Sequence, residues 1–113
     1  MATTQATVDV ILEAMAGAGA VSARKMFGEY GVYCDGKLVA LVCDDQLFVK
    51  ITAAGRAWLG DAVEEAPAYP GAKPSFRVDA ERWDDAEWMA ELVRVTWGEL
   101  PVGKKLPRGE QFL

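Results

Sequence analysis

The chain has 113 residues, a formal net charge of -5 and 51% hydrophobic residues, which suffices for one domain whose core needs neither a metal nor disulfides. It has no apolar run near the roughly 18 residues of a membrane span, and no basic segment followed by a uniformly apolar one at its start. We therefore expect a cytoplasmic protein with no membrane contact. The acidic balance also disfavours non-specific nucleic-acid binding, which depends on clustered Lys and Arg.

The first predicted element is a helix from about Thr7 to Gly17. Its apolar residues recur at helical spacing on one stripe: Val8, Ile11, Leu12 and Met15. Thr3, Thr4 or Thr7 is available as the N-cap. The stripe needs a sheet or another helix to cover it.

An antiparallel meander of short strands is predicted next, and its first strand is Val21 to Phe27. Asp35-Gly36 predicts a type I′ hairpin turn, because such a turn requires positive φ at both central positions and Asp-Gly adopts these at low cost. Asp44-Asp45 marks the following turn. The chain therefore reverses twice within residues 29–51.

With a two-residue loop at each turn, Val32 faces Val39 and Val42 faces Leu47, and the register assigns the side chains to two faces. One face is expected to support the helices and holds Tyr33, Leu38, Ala40, Val42, Leu47, Val49 and Ile51. The other holds Tyr30, Val32, Cys34, Lys37, Val39, Leu41, Cys43, Phe48 and Lys50, a set too apolar for open solvent. We expect either the C-terminal part of the chain or a second subunit to cover it.

The second half of the chain is predicted to contain a short helix, a loop and a short strand. Thr52 predicts the N-cap of a short helix, Ala53 to Gly60, with Trp58 and Leu59 directed to the core. Residues 61–74 are rich in Pro, Gly and acidic residues and predict a loop. A final short strand is expected over residues 75–78.

The last predicted helix begins after Asp84 and runs to about Glu99. Glu87, three residues after Asp84, completes a capping box in Asp form. Trp83 stands just before the cap, so we expect it to be the most exposed tryptophan near this helix.

Residues suited to catalysis or metal binding are scarce. The chain has no histidine, which removes imidazole bases and His ligands. Cys34 and Cys43 fall on one predicted face but roughly 20 Å apart along the strands, too far for a disulfide, so we expect two free thiols. The pairs Asp44-Asp45 and Asp84-Asp85 already serve a turn and a helix start. No catalytic residue, cofactor or metal site is predicted.

The basic residues form two small groups. Arg24 and Lys25 begin the meander, and Lys104, Lys105 and Arg108 lie near the end of the chain. They are weak candidates for nucleic-acid contacts, since a few cations at a terminus are usually solubilising charge.

A family resemblance rests on residues 24–33, with the sequence RKMFGEYGVY, on the two hairpins that follow and on residues 68–76. Over roughly residues 8–101 the chain resembles the N-terminal domain of TfoX/Sxy-type competence regulators. The resemblance implies a two-layer α+β domain at residues 1–101, with an antiparallel meander sheet of about five strands packed by N-terminal and C-terminal helices. Residues 102–113 are expected to form a flexible tail.

In the full-length regulators this domain precedes a second, helical domain, and together they assist a global transcription factor in switching on DNA-uptake genes. The resemblance and the apolar second face predict a non-enzymatic regulatory or adaptor domain that binds a protein partner or a second copy of itself. The expected contact residues on that face are Tyr30, Val32, Val39, Leu41 and Phe48. One alternative is a small-molecule-binding module with residues 61–74 and exposed tryptophans as a lid, and another is direct DNA binding through the basic groups.

Overall fold

A six-stranded antiparallel sheet with three helices packed on one face makes up the part of the chain that the computed structural model describes, residues 3–26 and 29–100. The elements are α1 (Gln5–Met15), β1 (Val21–Met26), β2 (Glu29–Cys34), β3 (Lys37–Cys43), β4 (Gln46–Val49), α2 (Ala53–Leu59), β5 (Glu64–Pro67), β6 (Pro74–Val78) and α3 (Ala86–Glu99). The strand order is β1-β2-β3-β4-β6-β5. The predicted α+β class is confirmed, with six strands in place of about five.

The core lies between the helices and the inner face of the sheet. Its largest fully buried side chains are Phe76, Ile11, Met15, Leu47, Met89 and Leu92. α1 begins two residues before the predicted start, and its N-cap is Thr4, whose Oγ1 accepts a hydrogen bond from the Thr7 amide at 3.3 Å. The apolar stripe predicted for this helix packs into the core.

Both hairpin turns occur where the sequence predicts them. Asp35 and Gly36 have φ angles of 47° and 88°, and Asp44 and Asp45 have φ angles of 54° and 58°. Two consecutive non-glycine residues with positive φ, as at Asp44 and Asp45, are unusual, although Asp tolerates positive φ better than most residues. The second turn is stabilised by a residue outside the hairpin, because the Thr4 amide donates a hydrogen bond to Asp45 Oδ1 at 2.9 Å.

A β-bulge in β3 changes the predicted register. Tyr33 pairs with Leu38 as expected, but Val32 pairs with Ala40, so that Val39 is the extra residue. A shift of one residue exchanges the two faces of a strand. Beyond the bulge, Tyr30 and Val32 therefore share the inner face with Ala40, and their predicted place on the outer face is wrong.

The helix α2 forms as predicted, with Thr52 Oγ1 accepting a hydrogen bond from the Gly55 amide at 2.9 Å. Gly55 is buried, and a Cβ there would lie 2.8 Å from Thr52 Oγ1. The predicted inward direction of Trp58 is wrong, since its side chain is 40% exposed and lies beside Trp88, with ring centroids 6.4 Å apart. Leu59 packs against the core.

Residues 61–74, predicted as a loop, contain the edge strand β5. It pairs with β6 in antiparallel register, with Glu65 opposite Phe76 and Pro67 opposite Pro74. Acidic residues and Pro are depleted in strands, but Pro is tolerated at an edge. Ion pairs of Arg77 with Glu64 and of Arg56 with Glu65 accompany this edge.

The start of α3 also differs from the prediction. Residues 80–84 form a short 3-10 helix, so the N-cap is Asp85, whose Oδ1 accepts a hydrogen bond from the Trp88 amide at 3.1 Å. The 3-10 turn brings Trp83 against the core, where it is half-buried like Trp88 and Trp97. The predicted tail, residues 102–113, lies outside the described residues.

Candidate functional site

A groove of about 1040 Å³ lies on the face of the sheet that carries no helix. Its floor consists of outward-facing side chains from β1, β3 and β4: Met26, Leu38, Leu41, Cys43 and Phe48. Leu41 and Phe48 are directly opposite each other in the β3–β4 ladder. The bulge at Val39 explains why Leu38 and Leu41, three residues apart, face the same side.

One wall of the groove is the turn between β5 and β6. Tyr69, Gly71, Ala72, Lys73 and Pro74 line it. The turn is closed by a hydrogen bond from the Ala72 amide to the Tyr69 carbonyl at 3.0 Å, and Gly71 adopts a φ of 88°. The side chain of Tyr69 is 54% exposed at the mouth. Ile51 and Leu100 border the groove elsewhere.

This turn falls within the segment predicted as a lid, but the tryptophans predicted to join it lie elsewhere. Trp88 stacks beside Trp58 and receives the guanidinium of Arg82 at 4.7 Å from its ring centroid. Trp83 and Trp97 pack against the core. The groove therefore has a turn along one side and no tryptophan among its described lining residues.

One end of the groove holds the carboxylate of Glu29. Its Oε1 accepts hydrogen bonds from the Thr3 amide at 3.1 Å, the Thr3 hydroxyl at 2.5 Å and the Asp44 amide at 3.2 Å. Burial alone would raise the pKa of Glu29, but these hydrogen bonds outweigh it and hold the pKa below its ordinary value. The carboxylate is ionised at neutral pH, and its Oε1 accepts hydrogen bonds from all three donors.

The two cysteines lie on opposite faces, and both are free. Cys34 belongs to the core cluster, whereas Cys43 lines the groove. Burial, followed by the charges of Glu29 and Asp44, raises the pKa of Cys43 to about 11. The floor of the groove therefore presents a neutral thiol. The prediction that the cysteines share a face is wrong, because the bulge separates them.

Two lysines line the groove, Lys50 after β4 and Lys73 before β6. Both are exposed, and neither forms an ion pair with a carboxylate of the described residues. Val49 pairs with Phe76, so the continued register brings Lys50 opposite Ser75, two residues from Lys73. Lys50 and Lys73 therefore lie at the same end of the groove, away from Glu29.

The structure places the five residues of the predicted contact face in two locations. Leu41 and Phe48 lie on the floor of the groove. Tyr30, Val32 and Val39 belong to the core cluster, with exposures of 7%, 0% and 1%. Tyr30 also borders the groove, and its hydroxyl donates to Gln5 Oε1 at 3.3 Å.

Several groove residues were not among the five predicted contact residues: Met26, Leu38, Lys50, Tyr69 and Lys73. Leu38 was assigned to the helix-bearing face by the register without a bulge. Tyr69 and Lys73 stood within a segment predicted as a lid, and only the β4–β6 pairing brings them beside the meander.

The basic candidates do not form one patch within the described residues. Arg24 and Lys25 are exposed on the edge strand β1, and Arg24 lies over the Tyr33 ring, 5.6 Å from its centroid. Lys104, Lys105 and Arg108 lie outside the described residues. The described ranges bring together no group of three or more His, Cys, Asp or Glu that could hold a metal ion, and none of their helices is long and apolar enough to cross a membrane.

The chain is similar to a known family and to a known protein. The TfoX N-terminal domain model matches residues 13–100. A protein of Spirochaeta aurantia, described as an uncharacterised 12.7 kDa protein in the trpE 5' region, is 38% identical over 84 residues, which are 74% of this chain and 71% of that protein.

Proposed function

The chain belongs to the TfoX N-terminal domain family, and on that premise we propose that it is a cytoplasmic regulatory domain that acts through protein contacts made at the groove. The family is a regulatory one related to competence. The proposal adds the surface through which such a domain would act.

The observation that carries the proposal is the apolar floor of the groove. An antiparallel sheet covered by helices on one side usually presents polar residues on the other. Here Leu38 and Leu41 lie half-buried on the outer face, and Phe48, which is 5% exposed, lines the same floor opposite Leu41. Contiguous apolar surface of this kind marks interaction sites in soluble proteins.

The polar groups of the groove support a binding role over a catalytic one. The thiol of Cys43 is largely protonated at neutral pH because its pKa is about 11, which makes it a poor nucleophile. The carboxylate of Glu29 already accepts three hydrogen bonds and is poorly placed to act as a general base.

The test is crosslinked capture from native cells with groove and control variants. The groove variant is Leu41→Ser combined with Ile51→Ser, because Leu41 is half-buried and Ile51 is 37% exposed, so the fold should tolerate both. The matched control is Val10→Ser, an apolar residue 45% exposed on α1, which does not line the groove. Thermal unfolding of each variant establishes that it is folded.

We expect a captured protein to be lost with the groove variant and retained with Val10→Ser. Light scattering of the purified chain tests whether the partner is a second copy, in which case the groove variant shifts the oligomer toward monomer. Equal capture by the wild-type and groove variants, with no change in oligomeric state, would refute a contact at this groove.

Direct DNA binding is a separate outcome of the same work. It predicts retention on DNA at low salt that is lost with Arg24→Ala and Lys25→Ala, because phosphate contacts depend on cations and weaken with salt. The net charge of -5 favours the protein-contact proposal over this one.

A further inference from the structure

The groove has the size of a small-molecule site. Its volume of about 1040 Å³ is just above the usual range for ligand pockets, about 300–1,000 Å³. Along β4, the distance from Gln46 to Lys50 is about 13 Å at roughly 3.3 Å per residue. Phe48 lies midway, so that an extended apolar chain laid along the strand would cross it.

The charges of the groove are separated along this length. Glu29 is at the end near the β3–β4 turn, where Thr3 and Asp44 engage it. Lys50 and Lys73 are at the other end without a carboxylate partner among the described residues. The floor between them is apolar, and its thiol is neutral. Within the described residues, an acidic chain thus presents two exposed lysines without an ion-pair partner at one end of an apolar surface.

We propose that the groove binds a small molecule with an apolar body and a carboxylate head. The body lies on Leu38, Leu41 and Phe48, and the carboxylate meets Lys50 and Lys73. The opposite orientation would place the carboxylate near Glu29, where like charges repel. The inference concerns the same groove as the proposed function but does not require a protein partner.

The turn between β5 and β6 contributes to this binding mode. Tyr69 stands exposed above the floor on one side and can cover part of an apolar ligand. Lys73 belongs to the same turn, so the apolar cover and one cation are positioned by a single closed turn.

The test uses calorimetry with dodecanoate at concentrations below micelle formation, compared with dodecan-1-ol and dodecylamine. These probes share the alkyl chain and differ in the charge of the head. We expect dodecanoate to bind most tightly and dodecylamine most weakly. A second probe, 1-naphthylacetate, is not a surfactant and should shift the backbone amide NMR signals of Leu41, Phe48 and Lys50.

Two variants separate the parts of the proposal. Lys50→Gln with Lys73→Gln should weaken dodecanoate binding by about twofold to thirtyfold, because each of the two exposed ion pairs contributes about 0.2–1 kcal/mol, and should leave dodecan-1-ol binding unchanged. Leu41→Ser should weaken both probes. The matched control Lys25→Gln removes an exposed lysine outside the groove and should leave both unchanged.

Absence of binding by both carboxylates would overturn the inference, as would equal affinity for the three dodecyl probes or an unaltered affinity in the double lysine variant. The capture experiment contains no added ligand, so the two proposals fail separately. If the groove variant loses a captured partner and the protein binds neither carboxylate, the protein-contact proposal stands and the ligand proposal fails. If the protein binds carboxylates and the groove variant captures the same proteins as the wild type, the ligand proposal stands and the protein-contact proposal fails.

Discussion

The ammonium group of Lys37 lies 3.9 Å from the centroid of the Trp97 ring. The same Nζ donates hydrogen bonds to the carbonyls of Trp97 at 3.1 Å and Leu100 at 2.8 Å, at the end of α3. A cation at a helix C-terminus complements the unpaired carbonyls and the helix dipole. One side chain beside the first hairpin turn thus fixes the end of the last helix.

Lys37→Met should remove this anchor while retaining much of the apolar stem. We expect the free energy of unfolding to fall by about 1–3 kcal/mol, from the lost charge-assisted hydrogen bonds and the cation–π contact. Urea denaturation measures the change. The matched control is Lys50→Met on the outer face, which should stay within about 0.5 kcal/mol of wild type. Equal effects of the two variants would contradict the anchoring role.

A pair of helix glycines should respond in opposite directions to the same substitution. Alanine usually stabilises a helix relative to glycine by about 1 kcal/mol. At Gly55 the added Cβ would lie 2.8 Å from Thr52 Oγ1 and 3.4 Å from atoms of Phe76 and Thr96, so Gly55→Ala should destabilise the protein and disturb the N-cap of α2.

At Gly98 a Cβ meets nothing within 4 Å. Gly98→Ala should therefore stabilise the chain by up to about 1 kcal/mol, less for a position in the last turn of α3. Thermal unfolding of the two variants side by side tests the difference. A stabilising Gly55→Ala would show that the contact at this position relaxes without cost.

The sequence predicted those parts of the fold that local chemistry determines. Asp35-Gly36 specifies its turn because both residues accept positive φ, and Thr52 specifies a cap because its hydroxyl reaches the Gly55 amide. The bulge at Val39 has no such signal. It lies in an apolar run, LVALV, where a shift of one residue exchanges one apolar side chain for another.

The groove was predicted only in part for the same reason. Leu41 lies beyond the bulge from the first turn, but its pairing with Phe48 is fixed by the second, and both residues were placed on the correct face. Lys73 and Tyr69 reach the site through the pairing of β6 with β4, a contact between distant segments. Nothing in their neighbouring residues indicates that contact.

Glu29 should make stability depend on pH in the acidic range. Hydrogen bonds from Thr3 and Asp44 hold its folded pKa below the ordinary value of 4.5. Its stabilising contribution is therefore present above the unfolded pKa, and is lost as the pH falls from there through the folded pKa. Glu29→Gln should flatten this part of the stability profile, measured by urea denaturation at a series of pH values. Glu13→Gln, on the exposed face of α1, is the control and should keep the slope of the wild type.

The thiols should react slowly in the folded protein and rapidly after unfolding. Burial raises the pKa of both, of Cys43 to about 11, and the thiolate is the reactive form. At pH 8 about one thousandth of Cys43 is ionised at that pKa, against about one tenth for a thiol at the ordinary 9.0.

Alkylation followed by mass spectrometry, with Cys34→Ser and Cys43→Ser separating the sites, measures each rate. Because Cys43 lines the groove and Cys34 lies in the core, dodecanoate should slow labelling of Cys43 further and leave Cys34 unchanged. Rapid labelling of Cys43 at pH 8 would contradict the raised pKa that burial and the neighbouring negative charges give this thiol. Equal protection of both thiols would indicate general stabilisation of the fold in place of an occupied groove.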